Sequence, residues 1–344
     1  MATVTDVAKL AGVSVSTAAR VLSGRGYAAE ETRRRVLEAA EDLGYVPNQI
    51  ARSLRTRRTR LIGLLIGDVE NSFYSTIARN VESVARQAGY HVVLCNSDDD
   101  PATEREYLKL LEGIRVDALI VTPTLKNRPQ LARLMDKGMV IVQMDRRVDG
   151  LAADAIVVDN EAGAASAVAY LVEAGHTRIG ILTGELVVPT ANQRLTGFRR
   201  ALVDHGIPAT EDLIKTGSFH REHAIEDAME LIRRTPAPTA IFAANNILAE
   251  AALTALADQG LRVPRDVSLV AFDDVPWMEM VDPPVTTLRQ PIADMARSAA
   301  ELALRRLREG REGPPSTIVF RTQLIDRGSV APVRRPKAQS AASR

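Results

Sequence analysis

Along the first part of the chain apolar residues recur at helical spacing; from Leu61 onward they gather into short unbroken runs. Val7, Leu10 and Ala11 share one helical face, with Thr5 and Asp6 as N-cap residue types ahead of it. Gly12 supplies the positive φ of a sharp turn, and Ser14 can cap a second helix over 15–22, ended by Ser23 and Gly24. Residues 30–43 predict a third helix, with Val36, Leu37, Ala40 and Leu43 along its stripe and Gly44 just past its end. The expected product is a three-helix head closed around Val7, Leu10, Val21 and Leu22, its first two helices forming a helix-turn-helix. A head this small has little core of its own.

Pro47 stops the third helix, and Asn48 can cap a short further one with Ile50 and Leu54 on one face and Arg52 and Arg55 beside them. So short a helix does not hold alone in water. The stretch reads either as a solvated basic linker or as a hinge that folds against a partner.

The rest of the chain has a different rhythm. Apolar runs at 61–66, 90–94, 118–121 and 139–143 alternate with amphipathic stretches at 72–88, 103–112 and 130–137. The series restarts with runs at 155–158, 178–182, 240–243 and 267–271, and with helices at 163–174, 191–205, 221–233 and 246–259. Glycines that can end helices precede several runs, as at Gly89, Gly138 and Gly175. This βαβ pattern predicts an α/β body of parallel sheets with helices on both faces. Two series of similar length predict two lobes and a cleft, with ligands bound at the carboxyl ends of the strands. The segment 331–344, rich in Ala, Ser, Pro and Arg, is expected to be disordered.

Composition sharpens this picture in one respect. The 344 residues carry a net charge of only +1, but residues 1–60 hold eleven basic and six acidic side chains, leaving a mildly acidic body. A basic head on such a body points to a polyanion as the partner of the head alone. The single cysteine, Cys95, excludes an internal disulfide and a cysteine-based zinc site. The N-terminus has no secretory signal pattern and no apolar run is long enough for a membrane span, so a cytoplasmic protein without a membrane partner is expected.

With head, hinge and double α/β body in view, the chain resembles the lactose-repressor (LacI/GalR) family of transcription factors over about residues 3–330. The resemblance is carried by six blocks in order: Val4 to Ser14, Gly44 to Asn48, Ala51 to Leu54, Arg194 to Phe198, Phe272 to Pro276, and Pro283 to Pro291. It implies an all-α helix-turn-helix head (1–47) with a hinge helix and linker (48–60), joined to a two-lobed body (61–330) like that of periplasmic binding proteins. One lobe would take about 61–158 plus 291–321, the other about 159–290 plus 322–330.

The same resemblance implies a regulator, most simply a repressor, bound as a homodimer to a pseudo-palindromic operator in double-stranded DNA. No leucine-heptad tail follows residue 330, so dimers are expected rather than tetramers. Val15, Ser16 and Arg20 would face base edges, and Thr5, Ser14, Thr17, Asn48, Ala51, Arg52 and Arg55 join them as DNA-binding residues. The chemistry agrees in part. Arg20 can grip a guanine by two hydrogen bonds, and Val15 can meet a thymine methyl. Packing within the head is the alternative for Val15, and a plain phosphate contact is the alternative for Arg20. Leu54 would be a wedge in the minor groove. Where the family usually has Val-Ser, this chain has Ala18-Ala19, which removes a hydroxyl suited to phosphate.

In the body the resemblance places a small-molecule effector, a sugar or sugar derivative, against Phe73, Tyr74, Asp145, Arg194, Phe219, Asn245 and Asp273. Paired hydrogen bonds from Arg, Asp and Asn suit neighbouring hydroxyls, and aromatic faces suit a sugar ring. The competing roles are a turn cap for Asp273, core packing for Phe219 and a surface ion pair for Arg194. Trp277 would sit near the cleft mouth, or else pack. Asn245-Asn246 replaces the family's common Asn-Asp and changes the charge near the cleft.

Nothing points to an enzyme or to a cofactor. Walker A, G-x-S-x-G and H-E-x-x-H motifs do not occur. His220 and His223 flank Glu222 without a third ligand nearby in sequence, and a solvated helix start accounts for them better than a metal. Asp98, Asp99 and Asp100 read as a loop and helix start, and Cys95 as a buried, inert thiol. Two other classes, a solute-binding protein and a sugar-metabolising enzyme, are disfavoured by the basic head and the missing motifs. Control by a phosphocarrier protein instead of a metabolite stays open.

Overall fold

The computed structural model describes residues 2–23, 27–45, 58–217, 221–310 and 313–333. Two compact units result, 1–59 and 60–344. The hinge helix expected within 48–60 falls almost wholly outside the described residues.

The N-terminal unit holds α1 (Val4–Leu10), α2 (Val15–Leu22) and α3 (Glu30–Asp42). Thr3, rather than Thr5 or Asp6, caps α1: it accepts the Asp6 N–H, while the Asp6 carboxylate takes the Thr3 N–H at 2.8 Å. Gly12 turns the chain at φ +63°, and Ser14 Oγ accepts the Thr17 N–H at 3.2 Å to start α2. The core is built from Val7, Ala8, Ala11, Ala18, Val21, Val36, Ala39 and Ala40. Leu10 (55% exposed), Leu37 (50%) and Leu43 (37%) stand outside it, contrary to the periodicity reading. Alanines at the helix contacts let the backbones approach closely. The small interior then has no room for neighbouring leucines.

The larger unit contains two six-stranded sheets. The first uses β1 (Leu61–Ile66), β2 (His91–Asn96), β3 (Ala118–Val121), β4 (Val140–Met144), β5 (Asp154–Val158) and β11 (Thr317–Phe320), in the order β11-β5-β4-β3-β1-β2, all parallel. The second uses β6 (Ile179–Thr183), β7 (Ile214–Thr216), β8 (Ala240–Ala243), β9 (Ser268–Phe272), β10 (Thr286–Arg289) and β12 (Gln323–Ile325), in the order β12-β10-β9-β8-β6-β7, with only β12 antiparallel. Central strands such as β3, β4, β8 and β9 are buried throughout. That is why they read as unbroken apolar runs.

Helices α4 (Ser72–Gln87), α5 (Pro101–Gly113) and α6 (Arg128–Asp136) connect the first sheet. The second is served by α7 (Asn160–Glu173), α8 (Pro189–Asp204), α9 (Arg221–Ile232), α10 (Asn246–Asp258) and the single turn α11 (Trp277–Met280). The long α12 (Ile292–Glu309) returns to the first sheet, where it packs on α4 and β4. Arg306 of α12 forks onto Asp154 with two bonds of 2.8 Å, and the Ser316 N–H adds a third at 2.7 Å, which seats β11. The chain therefore passes between lobes three times: β5 to α7, β10 to α12, and β11 to β12.

Helices α7 and α8 touch backbone to backbone. A Cβ on Gly197 would lie 2.2 Å from the Glu161 carbonyl oxygen. Residues 331–333, expected to belong to a disordered tail, are instead bonded to the second lobe: Val333 N–H bonds Ala174 O at 3.0 Å, and Ala331 O accepts from His176 Nε2 at 3.1 Å; the rest of that segment lies outside the described residues. Backbone partners outweigh the polar composition there. No helix among the described residues is long and apolar enough to cross a membrane.

Candidate functional site

On the head, Thr5, Ser14, Val15, Ser16 and Arg20 are exposed and Thr17 is half-buried. Val15 is 44% exposed, so head packing does not account for it. The Ser14, Ser16 and Thr17 hydroxyls cluster at the N-terminus of α2 within 2.9 Å of one another through Ser14. Ala18 is fully buried in the head core, and Ala19 beside it brings no hydroxyl to the surface. Asn48, Ala51, Arg52, Leu54 and Arg55 lie outside the described residues.

In the body, Phe73, Tyr74, Asp145, Arg194, Asn245 and Asp273 all line one cavity of about 680 Å³ between the two sheets. Phe219 lies outside the described residues. Asp145 directly follows β4, and Asp273 directly follows β9, with left-handed φ of +65° and +73°. Corresponding strand ends in the two lobes thus turn an aspartate into the cleft, in a backbone region that Asp tolerates better than most residues.

The two arginines of the floor are held differently. Arg194 Nε donates to Asn160 Oδ1 at 2.8 Å and its Nη1 to the Ala244 carbonyl at 2.5 Å, while its guanidinium lies 3.7 Å above the Phe272 ring centroid. It is buried, and among the described residues it forms no ion pair with a surface acid. Burial lowers its pKa, an effect that Asp273 and Asp145 oppose. Arg146 forks onto Asp99 at 2.6 and 2.8 Å and reaches the Tyr74 hydroxyl at 3.3 Å. Its Nε lies 3.5 Å from Asp145 Oδ2, an ion-pair distance without hydrogen-bond geometry.

Asp145 is 6% exposed, and among the described residues its side chain makes that ion pair but no hydrogen bond. Burial pushes its carboxyl up to about 6, against the pull of Arg146 and Arg194. Asp273 is better served: Gln290 Nε2 donates to Oδ1 at 2.6 Å and the Asn246 N–H to Oδ2 at 3.3 Å. Gln290 Oε1 is left without a partner among the described residues. Asn245 caps α10 through the Leu248 N–H at 2.8 Å. Buried polar atoms without protein partners, facing a cavity, are atoms that an occupant can satisfy.

Several of these contacts were not legible in the sequence. Asp99 belongs to the acidic run read as a loop; Asp100 does cap α5, but Asp99 binds Arg146 across 47 positions. Asn246 is buried and spans the lobes, its Nδ2 donating to Asn71 Oδ1 at 3.2 Å, so its amide serves a cross-lobe bond rather than the cavity wall. Glu104, fully buried, accepts the Thr124 N–H at 2.7 Å and fixes the loop that brings Thr124 and Leu125 to the cavity. Trp277 packs against the outer core of the second lobe and does not line the cleft.

Comparison with known proteins agrees with both units. Residues 3–48 match the family described as bacterial regulatory proteins, lacI family, and residues 168–330 match the periplasmic binding protein-like domain. The chain is 36% identical to the HTH-type transcriptional repressor PurR of Aliivibrio salmonicida, over 90% of this chain and 93% of that one. It is 34% identical to the HTH-type transcriptional regulator DegA of Bacillus subtilis, over 96% and 98%. Among solved structures, the lac repressor dimer bound to operator and the anti-inducer ONPF aligns with a TM-score of 0.85 at 26% identity, covering 96% and 99%. A complex of the transcriptional regulator CelR with cellobiose aligns at 0.72 and 31%, covering 96% and 100%. The chain belongs to the lacI family of bacterial DNA-binding transcriptional regulators. Its relatives regulate transcription and are not enzymes.

Proposed function

We propose that this chain is a cytoplasmic repressor that binds a pseudo-palindromic operator as a homodimer and is controlled by a polyhydroxylated small molecule, a sugar or sugar derivative, in the cleft. The observation that carries the reading is the convergence of Asp145, Arg194, Asn245 and Asp273, drawn from both lobes, on one cavity. Carboxylates, an amide and a guanidinium offer acceptors and donors together, which neighbouring hydroxyls need. Arg194 also donates to Asn160, just past the β5 crossing, so an occupant that touches Arg194 acts close to the strand joining the lobes. Control then requires the ligand to prefer one lobe arrangement and the operator-bound form the other.

Residues 1–47 would be the DNA-binding head, 48–60 the hinge, and 61–330 the effector-binding and dimerising body. Leu54 would insert at the operator centre, with Asn48, Ala51, Arg52 and Arg55 on the backbone around it.

A thermal-shift screen of the full chain against monosaccharides, disaccharides, polyols, sugar phosphates and nucleobases tests the effector. A ligand at 100 times its Kd adds about 2.7 kcal/mol and a measurable rise in Tm. A rise with a sugar, followed by altered operator affinity with the same sugar, supports the reading; no rise with any of them counts against it. On the DNA side, Arg20→Ala should relax specificity at one symmetric operator position at a cost of about 1–3 kcal/mol. A uniform loss over all sequences, measured on a panel of single-base operator variants, would show a phosphate contact instead.

A further inference from the structure

The covalent path from the N-terminal unit into the body runs through Arg60, where the second unit begins, one residue before β1. Arg60 stands in the left-handed region at φ +58°, which glycine visits freely and an arginine rarely does. Three hydrogen bonds hold the chain there. The Arg60 N–H donates to Asp117 Oδ2 at 2.8 Å, and the Arg60 carbonyl accepts the N–H of His91, the first residue of β2, at 2.9 Å. On the opposite side of β1, the Asp117 N–H donates to the Leu61 carbonyl at 2.8 Å, just ahead of β3.

These bonds differ in what they require. Two are backbone bonds that extend the ladders from β1 to β2 and β3, and many sequences could make them. The third depends on one side chain, and a charged acceptor makes it strong. With that acceptor gone, the extended region becomes the cheaper one for an arginine at position 60. A change of φ and ψ at one residue redirects all of the chain ahead of it. A head tethered through a fixed bend approaches its site from a restricted set of directions; tethered through a swivel, it must surrender that freedom on binding.

We propose that Asp117 is a positioning residue for operator binding: by holding Arg60 in its bend, the carboxylate fixes the direction in which the chain leaves the body toward the head. Asp117 does not line the cavity, so this role is separate from effector contact. The proposal rests on the reading of a homodimer on two half-sites, because two heads with fixed exits favour one half-site spacing over others.

The probe is an operator duplex selected from random DNA by the full-length parent. Versions with one or two base pairs inserted between the half-sites, and a scrambled duplex, accompany it, and binding is read by fluorescence anisotropy. Asp117→Ala should bind the operator at least about tenfold more weakly than the parent does. Its affinity for the scrambled duplex, set by phosphate contacts, should stay within about twofold. The preference for native spacing over the insertions should shrink at least about threefold, which a loss of stability alone does not produce. Asp117→Asn removes the same charge but keeps an oxygen for the Arg60 N–H, and should remain within about threefold of the parent in both operator affinity and spacing preference. If Asp117→Ala does not fold, Asp117→Ser, whose shorter side chain falls short of Arg60, takes its place. Unchanged operator affinity, an unchanged spacing preference, or an Asn variant as weak as the Ala variant would each overturn the proposal while leaving the dimeric reading intact. A parent that binds every spacing equally would remove the two-half-site reading and the proposal with it.

Discussion

Asp145→Asn is expected to yield a body that is more stable than the parent without ligand and that binds a cleft ligand at least about tenfold more weakly. The carboxyl is buried without a hydrogen bond and titrates at about 6, above its ordinary 3.8. Its folded-state pKa is raised, so the folded chain holds this proton more tightly than the unfolded one does. The group therefore weakens folding as pH rises from about 4 through 6, and the whole penalty stands above 6. Two pKa units correspond to roughly 3 kcal/mol. Asn removes that penalty, tolerates the left-handed backbone, and gives up the 3.5 Å attraction to Arg146, which keeps Asp99, and the weaker pull of Arg194. A net gain of about 1–2 kcal/mol in urea unfolding at pH 7.5, shrinking toward pH 4.5, is the expected result. An equal gain at both pH values, or none, would contradict this account of Asp145. The ligand side follows from the same atom: a hydroxyl donating to the carboxylate contributes about 1.5–3 kcal/mol, so affinity should fall tenfold or more in the variant. In the parent it should decline as pH drops below about 6.

Gly197→Ala is expected to act with comparable force and in the opposite direction. The new methyl carbon would sit 2.2 Å from the Glu161 carbonyl oxygen, with the Glu161 Cα and carbonyl carbon at 2.8 Å. Backbone cannot swing aside as a side chain can, so α8 must move off α7. Overpacking of this kind costs about 3 kcal/mol or more. Arg194 lies one turn earlier on α8, bonded to Asn160 at the start of α7, so the displacement also shifts a floor donor. Urea unfolding and ligand titration should both report it. A loss below about 1 kcal/mol with ligand affinity intact would mean that the helix pair accommodates the methyl freely.

These two residues also mark what the sequence could and could not disclose. Arg194 to Phe198 carried the family resemblance as a string, while its physical content appears only in three dimensions: Arg194 on the cavity floor, Gly197 against a neighbouring backbone, Phe198 in the core. The parallel strands β1 to β6, β8 and β9 were legible because burial leaves apolar runs, and their predicted ends differ from the observed ones by at most two residues; the short, partly exposed edge strands β7 and β11 left no run of that length. The elements past Phe272 were less so. Strands β10 and β12 are short, and α12 crosses back to a sheet whose other helices lie far earlier in the chain. In the head, helical spacing marked a stripe correctly but not which of its members would be enclosed. Leu10 and Leu37 fit the period, yet alanines form the interior. Asp99 reads as part of a loop and helix start, and Arg146 is not singled out at all, because no local pattern records a pairing between residues so distant in sequence.

The three passages between the lobes have a mechanical consequence. Two rigid bodies joined by one strand can swing, slide and spin; joined by three, they keep little beyond a single rotation, as covers turn about a spine. Sliding and spinning would stretch one strap against another. A molecule that draws the lobes together therefore converts whatever contacts it makes into the same stroke, with the Asn71–Asn246 bond as a clasp between the covers. Differently shaped occupants can change how far the book closes, but not the axis on which it turns.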